Sequence, residues 1–222
     1  AACAAGSSLA GQPAGTLGTA GAFSFHPRKS ITTGEGGMVT TNDAELAARI
    51  DMLRNHGADV SEEQRHHGPR PHLLPEFNML GFNYRMTDLQ GAVGLVQIEK
   101  LDDLIDERQQ WADYYCRELA DVPWLQTPQC PKGWRHGWQA FVCYVDEASA
   151  PMPRNEIMER LQARGISTRP GTHAVHMLGY YANRLGLTPE DLPAARDCDK
   201  YTMAIPLHNR MRTDDFAYVV EQ

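Results

Sequence analysis

Lysine is scarce in this sequence. Four residues, Lys29, Lys100, Lys132 and Lys200, stand against seventeen arginines. Long apolar runs are missing altogether, and none approaches the roughly 18 to 20 residues of a membrane-spanning helix. The five cysteines, Cys3, Cys116, Cys130, Cys143 and Cys198, are widely spaced and form no C-x-x-C pair. That spacing excludes a zinc ribbon and argues for reduced thiols in a cytoplasmic protein rather than a disulfide framework. No basic cluster offsets the formal net charge of -7, so a nucleic-acid partner is not expected. No internal repeat is visible.

What remains is an ordinary globular composition, 42% hydrophobic and 22% charged over 222 residues, enough for one large domain or two small ones. The first residue is Ala1 and the last ones lie in an amphipathic run, so the sequence reads as a piece of a longer protein.

The scarcity of lysine makes the position of one of them informative. Lys100, Lys132 and Lys200 fall in helical or loop contexts where a solvated charge is the ordinary reading. Lys29 lies between two apolar strand candidates, Ala22–Phe25 and Met38–Thr41, in a loop that closes through Gly34, Gly36 and Gly37. An amine so placed can act as a nucleophile toward a carbonyl, and Ser24, five residues upstream, can donate to a phosphate. The competing reading is that Lys29 extends into solvent and Ser24 satisfies a local backbone group.

Around this stretch, residues 1–21 are rich in Ala, Gly and Ser. They read either as a linker or as small residues that allow close backbone approach. Asn42 or Asp43 caps a helix with Leu46, Ile50 and Leu53 on its apolar face. Residues 58–80, with His66 and His67, read as a long exposed loop. Thr87 and Gln90 form a capping box opening a helix that runs toward Asp106, and a second helical run carries Trp111, Tyr115 and Leu119. Residues 140–145 form a strand, Pro153 opens a helix toward Gly165, and residues 166–168 form a second strand. A helix is expected from Thr188 toward Met203, and Thr213 is expected to cap the last one. The alternation of strands and helices indicates an α/β fold with a small C-terminal domain. Arg169, His173 and His176, in a loop joining a strand to a helix, are candidates for substrate contact.

The run FSFHPRKSITTGEGGMV, followed by LRNHG at 53–57 and GFNYRMTDLQGAVGLVQIEKLD at 81–102, resembles the DegT/DnrJ/EryC1/StrS family. GIST at 165–168 and IPLH at 205–208 extend the likeness over most of the chain. These are fold-type I, pyridoxal-phosphate-dependent aminotransferases acting mostly on keto sugars attached to nucleotides. The resemblance implies that residues 1–105 are the C-terminal portion of the cofactor-binding large domain with the start of a connecting helix. Residues 106–222 are then the small C-terminal domain.

By the same resemblance, Lys29 matches the Schiff-base lysine and Ser24 the serine holding the cofactor phosphate. Asn83 matches an asparagine that reaches the phosphate in the neighbouring subunit, which implies a homodimer with shared active sites. Cys3 stands where the family has Gln or His near the cofactor's ring hydroxyl, a departure from the pattern. The family's pyridinium-binding aspartate lies before Ala1, so the resemblance implies a further N-terminal segment and an inactive fragment without it. The implied substrates are a nucleotide sugar and an amino acid, with glutamate as donor. Two alternatives are a sugar dehydratase of the same family, which carries histidine in place of Lys29, and a non-catalytic sensor or scaffold that kept the fold.

Overall fold

A computed structural model describes all of residues 1–222 and divides them into two compact units. The first comprises Ala1–Asp102 with Gly133–Arg135, and the second Asp103–Lys132 with His136–Gln222.

In the first unit the chain opens with a hairpin, β1 (Ser8–Leu9) and β2 (Gln12–Pro13), turning at Ala10 and Gly11, both at positive φ. A returning strand, β6 (Trp134–Arg135), pairs with β1, and Arg135 reaches Asp102 at 2.7 Å. Of the two readings of residues 1–21, close backbone approach is the one realised. A side chain on Gly21 would collide with the backbone of Gly15, and Thr40 Oγ1 donates to the Gly15 carbonyl at 2.8 Å. The strands β3 (Ala20–Ser24) and β4 (Gly37–Thr41) pair antiparallel, with Ser24 opposite Gly37 and Ala22 opposite Val39. They are not the buried strands expected from their composition: within this chain Met38 is 50% exposed and Val39 43%.

Helix α1 (Ala44–Arg54) is capped by Asp43, whose carboxylate accepts from the amides of Glu45 and Leu46. The presumed long loop after it contains a short helix, α2 (Glu62–His67). Ser61 and Gln64 close a capping box there, the same signal that marks Thr87 and Gln90 at the start of α3 (Asp88–Glu99). Lys100 ends α3 short of Asp106, and α4 (Leu101–Glu118) begins at the next residue and runs through Trp111 without a further break. The side chains buried in the first unit are Ile31, Thr33 and Ala58.

The second unit has a full core. Its antiparallel sheet runs β5 (Leu125–Gln126), β7 (Phe141–Val145), β9 (Thr202–Ile205), β8 (Arg169–Pro170). Helix α4 turns Ile105, Arg108, Ala112 and Tyr115 inward, a spacing of three and four residues that keeps one helical face on the sheet. Trp111 stacks on Phe216 of α8 (Thr213–Glu221) at 4.0 Å, and Tyr115 packs against Phe141 at 5.1 Å. Helix α5 (Arg154–Ala163) adds Ile157 and Leu161.

Three sequence expectations change here, the first being that Thr213 is the opening residue of α8 and Arg212 its cap. The strand at 166–168 is displaced, for the paired residues are Arg169 and Pro170, although Ile166 and Thr168 are buried. The helix expected from Thr188 toward Met203 is a 3-10 turn at Pro189–Asp191 followed by α7 (Pro193–Tyr201). It gives way to β9, which pairs on both edges. A four-residue apolar run is too short to show its period, so its neighbours decide its conformation.

Candidate active site around Lys29

The loop between β3 and β4 is held by its own backbone. Phe25 and Gly36 close it, with Phe25 N–H donating to the Gly36 carbonyl at 2.9 Å. Phe25 O accepts from Thr33 N at 3.1 Å and Thr32 Oγ1 at 2.9 Å. Helix α3 grips the same loop from outside. Gln97 Oε1 accepts from Thr32 N at 3.2 Å, and Gln90 Nε2 donates to Glu35 O at 2.9 Å. Sequence reasoning finds Gln90 only as a capping residue and Gln97 not at all, because a polar residue on a helix ordinarily faces water; their seven-residue spacing, two turns on one face, is the available signal for this brace.

Within the loop, Lys29 N–H donates to His26 O at 2.9 Å, and His26 N–H donates to Ser24 Oγ at 3.4 Å. This chain of turns sets Ser24, at the end of β3, and Lys29 in one compact loop. The Lys29 ammonium donates to Cys3 Sγ at 3.0 Å. Cys3 lies in the turn Ala1–Ala4, closed by Ala4 N–H to Ala1 O at 2.9 Å. A contact across 26 residues thus ties the start of the chain to the lysine loop.

Asn83 comes from a different segment. Phe82 N–H donates to Leu53 O at 2.7 Å, His56 N–H to Phe82 O at 2.9 Å and Tyr84 N–H to Arg54 O at 2.8 Å. Asn83 is exposed, and the residues on either side of it in sequence, Phe82 and Tyr84, stack on each other with ring centroids 5.0 Å apart. Those two rings also line a groove of about 960 Å³ with β3, β4 and α1, whose lining includes neither Lys29 nor Cys3.

The remaining candidates belong to the second unit. Arg169 is exposed on β8. His173 is exposed, with Nδ1 3.5 Å from Asp199 Oδ1, an oxygen that also accepts from Ala174 N. His176 is not the surface group its loop suggested. It lies in a 3-10 turn, Val175–Met177, only 4% exposed, and neither ring nitrogen has a hydrogen-bond partner. The turn rolls it inward because its neighbours Val175 and Met177 take the outer positions. His66 and His67 end α2 and belong to no metal-binding cluster.

The donor set in the first unit fits pyridoxal phosphate at two ends: a primary amine for its aldehyde and a hydroxyl for its phosphate. The Cys3 thiol is a weak partner for the ring hydroxyl. His136, in the second unit, is electrostatically distinctive. Its Nδ1 accepts from Trp138 N–H at 2.8 Å and its ring packs on Trp138 at 4.3 Å. Desolvation of that face pulls its pKa below the ordinary value although its outer edge meets water. Trp138 itself adopts φ of 42°, held by Arg108 on its carbonyl and Gln109 on its indole N–H.

The profile of the DegT/DnrJ/EryC1/StrS aminotransferase family matches residues 1–222. The chain is 36% identical over 208 residues to the spore coat polysaccharide biosynthesis protein SpsC of Bacillus subtilis, covering 93% of this chain and 53% of that protein. It is 34% identical to the GDP-perosamine synthase of Caulobacter vibrioides, covering 98% and 55%. The crystal structure of DesI in the presence of its TDP-sugar product superposes with a TM-score of 0.84 at 31% identity, over all of this chain and 53% of that one. The chain therefore spans about half the length of the relatives it matches. Its fold is that of the fold-type I transferases, and the cofactor to which the family points is pyridoxal phosphate. With its whole length matched, the chain belongs to the DegT/DnrJ/EryC1/StrS aminotransferase family.

Proposed function

We propose that the full-length protein transfers an amino group from an amino acid, with glutamate as donor, to the keto group of a nucleotide-linked sugar. The observation that carries this reading is the lysine loop: Lys29 and Ser24 share one braced turn in a chain of aminotransferase ancestry. The names of two relatives, a GDP-perosamine synthase and a protein crystallised with a TDP-sugar product, support a nucleotide sugar as acceptor.

Pyridoxal phosphate, when bound, supplies an aldehyde for amino groups to condense with and a ring that accepts electrons from the broken C–H bond. Ser24 Oγ–H donates to its phosphate. Lys29 Nζ would hold the aldehyde end of the cofactor and, as a free amine, would move the proton at the reacting substrate carbon. Asn83, exposed beside Phe82 and Tyr84, reaches the phosphate in a second copy, making the working unit a homodimer. Arg169 and His173 supply the exposed polar groups for substrate. The wide spacing of the five cysteines, with no C-x-x-C pair, suits a cytoplasmic enzyme. No helix is long and apolar enough to cross a membrane.

The test is the glutamate half-reaction of the full-length protein, watched as a change in the visible absorbance of the bound cofactor with release of 2-oxoglutarate. Lys29→Ala should lose both signals. A Lys29→Ala protein that keeps its absorbance band and its turnover overturns the assignment.

A further inference from the structure

The contact between Lys29 Nζ and Cys3 Sγ offers chemistry that transamination does not use. A thiol and a primary amine 3.0 Å apart, each reachable from solvent, are already within bonding approach if the sulfur becomes electrophilic. Two other thiols are placed differently: Cys143 is buried, with its pKa pushed up to about 12, and Cys116 donates to the Pro128 carbonyl at 3.6 Å. The hydrogen-bonded turns at Ala1–Ala4 and His26–Lys29 fix both backbones, so little conformational freedom remains to be lost when the two atoms join.

We propose that Cys3 and Lys29 form an oxidant-driven covalent cross-link that withdraws Lys29 from the cofactor. A peroxide oxidises the thiol to a sulfenic acid, its O–O bond breaking to give one water or alcohol. The Lys29 ammonium gives up a proton to solvent, its nitrogen lone pair attacks the sulfur, the S–O bond breaks, and hydroxide leaves with a second proton from nitrogen as water. The product is an S–N bond, and the protein has lost two hydrogen atoms in total. Two thiol molecules reverse it: the first opens the S–N bond to a mixed disulfide and frees the amine, and the second releases the Cys3 thiol. While the bond lasts, Nζ cannot engage an aldehyde. The assignment of Lys29 to the cofactor rests on the proposed function, but the cross-link does not.

The experiment treats the full-length protein with hydrogen peroxide, with and without added pyridoxal phosphate, and maps the peptides by mass. The expected result is one linked peptide pair joining Cys3 to Lys29, lighter by two hydrogens and abolished by dithiothreitol. Cys3→Ser and Lys29→Ala proteins should lack it. Cys3 oxidised to sulfinic acid or to a disulfide with Lys29 unmodified overturns the proposal, and a link retaining an oxygen atom overturns the S–N step. Added pyridoxal phosphate should suppress the link. A link that forms equally with cofactor present would count against the cofactor role of Lys29 while leaving the cross-link intact.

Discussion

Gly81 approaches Gly57 so closely that a methyl group on Gly81 would collide with the Gly57 backbone nitrogen. Gly57 itself has φ of 81° and would meet the Met79 carbonyl if it carried a side chain. This pair of glycines lets residues 78–84 lie against residues 53–58 and so sets the backbone from which Asn83 projects. Gly81→Ala should cost about 1–3 kcal/mol through overpacking. In the full-length protein it should lower the melting temperature and weaken cofactor binding together.

Ser24→Ala removes a hydroxyl from the end of β3 without disturbing the Ser24–Gly37 pairing. Loss of a hydrogen bond to a charged phosphate should raise the dissociation constant for pyridoxal phosphate about ten- to a hundredfold. The visible absorbance of a saturated sample should be unchanged. Equilibrium titration of the cofactor measures the first and the spectrum checks the second.

His176 carries two buried ring nitrogens with no partner, an arrangement that weakens the fold. Exchange for leucine removes the unsatisfied groups while keeping most of the volume. His176→Leu should therefore unfold no earlier than the parent protein, and the KM for the sugar should not change. A tenfold rise in that KM would mean that the side chain turns outward to meet substrate.

His136 yields a pH dependence whose sign follows from its environment. Desolvation against Trp138 holds its folded pKa below the ordinary 6.5, so below that pH the unfolded chain binds more protons than the folded one. Its contribution to stability is present at neutral pH and is lost as the pH falls from about 6.5 through the folded value. Replacement by Gln should flatten that part of the stability curve, measured by urea unfolding at a series of pH values.

The lysine loop was legible because its signals are local. Gly34 and Gly36 both adopt positive φ, and scarcity singles out Lys29. The capping boxes at Ser61–Gln64 and Thr87–Gln90 obey one rule, yet only the second stands before an apolar run, so α2 has no amphipathic period to mark it among polar residues. The outcome at 202–205 was not legible. Thr202–Ile205 is a strand because β7 and β8 flank it, partners that lie about 60 and 30 residues upstream.

By itself the sequence determined the lysine loop, the caps at Asp43 and Thr87, the family and hence the cofactor, all of which rest on short-range patterns of residue type. Tertiary structure alone decided that Cys3 meets Lys29 across 26 residues, that Gln90 and Gln97 brace the loop from α3, and that His176 turns inward. Each of these depends on where distant backbone segments come to rest, and no local propensity encodes that. A contact between residues far apart in the chain is set by the packing of everything between them.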